Sequence, residues 1–97
     1  MTKNEFKRYM VDAGYFTSMK DAGRVIDAVT ESISRALVEG ENIVLNGFGT
    51  FELRERVEKD VVMQNGERIR VPAHYGVKFN PGKVLKRQVR EGFVRHK

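Results

Sequence analysis

The sequence predicts an α+β domain, and three observations carry that reading. Apolar residues recur every three or four positions up to Gly40, alternate with polar ones from Asn42 to Phe79, and return to helical spacing after Pro81-Gly82. Two Asn-Gly pairs, Asn46-Gly47 and Asn65-Gly66, punctuate the alternating stretch as turns do. The expected order is helix, helix, strands, a long ribbon, strand, helix.

Thr2-Lys3-Asn4-Glu5 reads as a capping box, with Thr2 at the N-cap and Glu5 reaching back. Phe6, Met10 and Ala13 share a face, and Gly14 closes this first helix. Ser18-Met19-Lys20-Asp21 starts a second helix, with Asp21 where Glu is more usual. Ala22, Val25, Ile26, Val29, Ile33, Ala36 and Leu37 give it one apolar stripe, ending at Gly40. The opposite face, with Arg24, Asp27, Glu31 and Arg35, reads as solvated. Together the two helices form a helical hairpin.

Ile43-Val44-Leu45 is a short strand, and Phe51 and Leu53 alternate with Glu52 and Arg54 in the next. Asn65-Gly66 predicts a type I′ hairpin, with Ile69 and Val71 on the returning strand and Pro72 ending it. Between Arg54 and Pro72 no continuous face is apolar enough to bury. Such a ribbon must project into solvent or lie on a partner. Val77 and Phe79 mark one more short strand. Val84, Leu85 and Val89 form the apolar side of the last helix, whose other side carries Lys83, Lys86, Arg87 and Arg90. Phe93 to Lys97 is a tail with no assigned element.

Composition narrows the function. A 97-residue chain is one domain with a modest core, small enough to borrow core from a second copy. No cysteine is present, which removes disulfides, thiolate zinc sites and cysteine nucleophiles. Neither a membrane span nor a signal-peptide apolar segment is visible, so a soluble intracellular protein is expected. The net charge of +5 is unevenly placed. Residues 1–50 hold six basic and seven acidic side chains, and residues 51–97 hold twelve basic and six acidic. That asymmetry points the C-terminal half toward a polyanion.

Catalysis finds little to work with. His74, in a loop beside Tyr75, and His96 are the only histidines, and neither has a metal-ligand spacing. Gly47-Phe48-Gly49 precedes a strand and lacks the Lys-Ser/Thr of a phosphate loop. No catalytic residue, metal or cofactor is expected. The basic residues are better organised. Arg54 and Arg56 share a face of the ascending ribbon strand, and Arg68 and Arg70 a face of the descending one. A two-stranded ribbon is narrow enough to enter a DNA groove, although charges on an exposed strand also guard against aggregation. Lys83, Lys86, Arg87 and Arg90 suit phosphates, and the N-terminus of the last helix offers an anion site.

From Gly47 to Arg56, reading Gly-Phe-Gly-Thr-Phe-Glu-Leu-Arg-Glu-Arg, the sequence resembles the HU/IHF family of bacterial histone-like DNA-binding proteins. The resemblance extends over nearly the whole chain. It includes Met1-Thr2-Lys3-Asn4-Glu5, the stretch from Gly40 to Leu45, Asn65-Gly66-Glu67, and the stretch from Phe79 to Lys86. It implies a single domain over residues 1–97, with an arm at about 54–72, forming an intertwined homodimer. Helical hairpins would make the base, with sheets above and two β-ribbon arms around double-stranded DNA. Phe48, Phe51 and Phe79 match the shared aromatic core. In the family the arms enter the minor groove, an apolar residue near each tip wedges between base pairs, and the duplex bends. Phosphate contacts on the body supply most of the affinity.

The departures are specific. Family arms carry Gly-Arg-Asn-Pro before the turn, with Pro as the wedge; here Asp60-Val61-Val62-Met63-Gln64 stands there, one residue shorter and without Pro. Met63 is the candidate wedge and Val62 the second. Glu58 and Asp60 place acid where family arms are basic, and Tyr75 and Asn80 replace usual lysines. The expected function is architectural DNA binding with low base specificity. Arg54, Arg56, Lys59, Arg68 and Arg70 would line the arms, and Lys3, Lys83 and Lys86 would neutralise phosphates on the body. The alternatives are a dimer that coats or bridges DNA without bending it, and a protein-interaction module using Val61-Val62-Met63. A cytoplasmic setting, in a bacterial nucleoid or from a phage, is implied, with no membrane or small-molecule partner.

Overall fold

The computed structural model describes residues 1–94, so His96 and the end of the tail lie outside the described residues. Its elements are α1 (Lys3–Asp12), α2 (Met19–Val38), β1 (Ile43–Leu45), β2 (Gly49–Arg56), β3 (Lys59–Val62), β4 (Arg68–Val71), β5 (His74–Pro81) and α3 (Lys83–Gly92). Two compact units divide the chain, Met1–Arg35 and the segment from Ala36 onward.

In the first unit the capping box forms as expected. Glu5 N–H donates to Thr2 Oγ1 at 3.2 Å, and Thr2 N–H to Glu5 Oε1 at 3.3 Å. Gly14, at φ +86°, and Tyr15 close α1 by donating to the carbonyls of Val11 and Met10. This Schellman pattern needs a residue free to adopt the left-handed conformation. Ser18 caps α2 by accepting from Asp21 N–H at 3.1 Å. Ala22 is fully buried, whereas Val25 and Val29 on the same stripe stay 39% and 49% exposed. The apolar stripe of α2 is therefore real, but this chain alone leaves part of it uncovered.

The second unit begins with the end of α2, where Gly40 and Glu41 donate to the carbonyls of Leu37 and Ala36 in the same Schellman pattern. A three-stranded antiparallel sheet follows, ordered β1-β2-β5. β2 and β5 pair over their whole length, from Gly49 opposite Pro81 to Arg56 opposite His74. Asn42 extends the β1 edge by accepting from Leu53 N–H at 3.0 Å. Phe79 is the hub, with ring centroids 4.8 Å from Phe51 and 5.5 Å from Phe48. β3 and β4 form a separate two-stranded ladder.

The ribbon departs from expectation in three ways. First, β5 is eight residues long, so His74 and Tyr75 lie in a strand and not in a loop. Their pairing with Arg56 and Glu55 supplies the backbone partners that a loop would have lacked. Second, the ribbon breaks at residues 57–58 and 72–73, and Arg54 and Arg56 belong to the three-stranded sheet. Pro72 has no N–H to donate, so the ladder cannot run through it. Third, the tip is not a type I′ turn. Gly66 has φ +87°, but no described non-glycine residue, Asn65 included, has positive φ. Gly66 N–H donates to Met63 O at 2.9 Å, and Met63 N–H to Glu67 O at 2.7 Å. That is a three-residue loop, a type I turn closed by a glycine bulge. Asn65 Oδ1 accepts from Glu67 N–H at 3.0 Å and steadies it.

Candidate nucleic-acid interface

Alternation and register assign the arm's two faces. Cross-strand partners share a face, so Asp60, Arg70, Val62 and Arg68 lie on one, and Lys59, Val71, Val61 and Ile69 on the other. The second face is more apolar than the sequence suggested, although Val61 and Ile69 remain 37% and 44% exposed. Met63 stands at the tip, 44% exposed, and both its backbone groups are held by the turn.

The arm's charges cancel. Lys59, Arg68 and Arg70 are balanced by Glu58, Asp60 and Glu67. Arg70 is committed twice, through Nε to Glu58 and through Nη1 to Asp60 at 4.0 Å. Asp60 and Arg70 are each five residues from Asn65, so the sequence held the signal for that pair once the hairpin was centred there. Two other expected phosphate contacts also hold carboxylates. Lys3 Nζ lies 2.5 Å from Asp27 Oδ1, and Arg54 Nη2 lies 2.9 Å from Glu52 Oε1. Hydrogen bonds from Asn80 and Arg54 hold the Glu52 carboxyl below the usual carboxylate range, against a smaller opposing effect of desolvation. The Asn80 contribution was not foreseen from sequence.

Cations without ion pairs among the described residues include Arg56, Lys59, Arg68, Lys83 and Lys86. The last two lie with Arg87 and Arg90 on an exposed face of α3. The N-terminus of α3 is less open to an anion than the sequence implied. Leu85 N–H donates to Gly47 O at 3.1 Å, and Gly82 N–H to Phe48 O at 2.8 Å. The Gly47-Phe48-Gly49 turn thus docks α3. An added Cβ at Gly49 would stand 2.6 Å from the Phe79 ring and 2.7 Å from Asn80 O. The glycines serve close backbone approach rather than phosphate binding. At the elbow between sheet and arm, Glu55, Arg56, Val57, Lys59 and His74 line a shallow concavity.

Among the described residues no group of histidines and carboxylates could hold a metal ion, and no helix is long and apolar enough to cross a membrane. A basic helix beside an antiparallel sheet that continues into a groove-sized ribbon is the build of an architectural nucleic-acid-binding domain. The family model described as bacterial DNA-binding protein matches residues 1–90. DNA-binding protein HU-1 of Halalkalibacterium halodurans is 51% identical over 70 residues, covering 71% of this chain and 78% of that protein. DNA-binding protein HU 1 of Bacillus subtilis is 42% identical over 87 residues, covering 89% and 94%. The fold superposes on an Anabaena HU–DNA cocrystal structure with a TM-score of 0.79 at 30% identity, covering 92% of this chain and 97% of that one. The chain belongs to the HU/IHF family of bacterial DNA-binding proteins.

Proposed function

We propose that this protein is a homodimeric, non-enzymatic architectural protein that binds double-stranded DNA with little base specificity and acts as one domain. The observation that carries the reading is the separate β3–β4 ribbon joined to a sheet and helix rich in cations, in a chain whose HU relatives are named for DNA binding. Lys3, Lys83 and Lys86 would neutralise phosphates on the body. Arg54 and Arg56 would do so at the base of the arm, and Lys59, Arg68 and Arg70 along it. Met63 would be the wedge, since it is the apolar residue whose backbone the tip turn holds in place. Its flexible thioether makes it less pre-organised than a proline ring. The setting that fits is a bacterial nucleoid or phage-borne DNA.

Exposed apolar surface supports the dimer. Val25, Val29, Phe48 and Phe79 are part of the uncovered apolar surface. Phe48, Phe51 and Phe79 would complete their packing against a second copy.

The charge-neutral arm favours a second reading, in which the dimer coats or bridges duplexes without bending them. A titration against a random-sequence duplex and a nicked duplex of equal length, across a salt series, separates the two. Tighter binding to the nicked duplex with steep loss at high salt is expected for bending arms. Equal binding with the same loss would favour coating or bridging, as would unchanged bending after Met63→Gly. No binding to either duplex would leave the ribbon as a protein-docking arm.

A further inference from the structure

We propose that the elbow between the sheet and the arm is a phosphodiester-binding site in which His74 joins Arg56 and Lys59 as a proton-dependent third donor. The inference rests on the DNA-binding reading and adds a residue and a pH dependence to it. Three features converge there. Register places His74 directly opposite Arg56, so their side chains share a face. Gly76, on that same face, leaves room for Arg56 to lie along β5; an added Cβ there would stand 3.1 Å from Arg56 Nε. Lys59 follows the break after β2, and all three residues line one exposed concavity.

The imidazole is oriented. Its Nδ1 lies 3.0 Å from the carbonyl oxygen of Pro72. A carbonyl can only accept, so Nδ1 carries the hydrogen and Nε2 remains available. In the neutral ring Nε2 is a lone pair, which offers nothing to a phosphate oxygen. In the protonated ring it is a charged N–H donor. A phosphodiester is an acceptor at every pH in question, so protonation and phosphate binding favour each other.

The surrounding charges are compatible with an anion. Arg54, on the same face, is held by Glu52. The carboxylate of Glu58 is held by Arg70. Glu55 borders the concavity, but strand alternation directs its side chain, like that of Tyr75, to the opposite face. Arg56 and Lys59 remain as the cations to which His74 adds a third.

The test measures affinity of the full chain for a random-sequence duplex at pH 7.2 and 5.5, at fixed ionic strength. Wild type is expected to tighten by about threefold to tenfold at the lower pH. His74→Ala should abolish that gain. His74→Lys should bind tightly at both pH values, and His96→Ala should behave as wild type. The His74 ring signal, followed by NMR, should titrate at higher pH once duplex is added. A gain that survives in His74→Ala, or a ring titration that duplex does not move, would overturn the elbow site alone. Absence of duplex binding by wild type at both pH values would overturn the DNA-binding reading and the elbow site with it.

Discussion

The β1-β2-β5 sheet and the β3–β4 ribbon are made of the same kind of alternating antiparallel strand, yet they are stabilised differently. In the sheet, Phe79 packs on Phe51 and Phe48, and the Gly47–Gly49 turn fits closely against β5 and α3. In the ribbon every side chain from Lys59 to Arg70 is exposed, and cross-strand pairing, the hydrogen-bonded tip turn and ion pairs hold it. The sheet can tolerate little change in shape. The ribbon can tolerate much, which suits a segment whose shape is completed by what it grips. A two-stranded ladder is marginal by itself in water.

Substitutions that separate core packing from surface pairing sharpen this comparison. The largest difference is expected between Phe79→Ala and Val61→Ala. Phe79 and Val61 are equally exposed in the single chain, but in the proposed dimer the Phe79 ring is covered by the second copy, and its loss should cost about 3–4 kcal/mol. Loss of two methyls from exposed Val61 should cost less than about 1 kcal/mol. Denaturant unfolding at one fixed protein concentration checks both, because dimer stability depends on concentration. A ribbon substitution as costly as the sheet one would mean that the arm shares the core.

Two glycines make the next contrast. At Gly49→Ala the new methyl collides with ring and backbone atoms, and a loss of about 2–3 kcal/mol is expected. At Gly66→Ala nothing lies within 4 Å, so only the positive φ matters. That strain should amount to about 1 kcal/mol and be read as a small change in the unfolding midpoint.

Charge variants probe the ribbon in the opposite direction. Asp60→Asn combined with Glu58→Gln should release Arg70 and leave folding nearly unchanged, since exposed ion pairs contribute about 0–1 kcal/mol. DNA affinity should rise, and the slope of log affinity against log salt should steepen by about one for each further phosphate neutralised. An unchanged slope would mean that Arg70 does not meet phosphate.

The smallest effect concerns Glu52 in the sheet. Its folded-state pKa lies below its unfolded value, so its stabilising contribution is present above the unfolded pKa, near 4.5. That contribution is lost as pH falls through the lower folded value. Glu52→Gln should therefore flatten the acid side of a melting-temperature profile as pH falls below about 4.5. A profile as steep as wild type would assign the acid sensitivity to other carboxylates.

Local chemistry made much of the molecule readable from the sequence. The Thr2–Glu5 capping box, the glycine closures at Gly14 and Gly40, the apolar stripe of α2 and the start of α3 after Pro81-Gly82 all depend on residues within one or two turns of each other. For such features side-chain type and spacing are enough. Family membership was legible for the same reason, in contiguous runs such as Gly47 to Arg56. Tertiary structure alone decided which strand each arginine serves. Arg54 and Arg56 fall in the sheet because β5 extends back to His74 and captures the whole of β2. Strand pairing is a choice among distant partners, and alternation along one strand does not name its partner. Packing likewise decided that Gly49 yields to Phe79, and that the amides opening α3 serve the Gly47 turn. The placement of His74 beside Arg56 arose in the same way: 18 positions separate them in the chain, and only the register of the ladder brings them together.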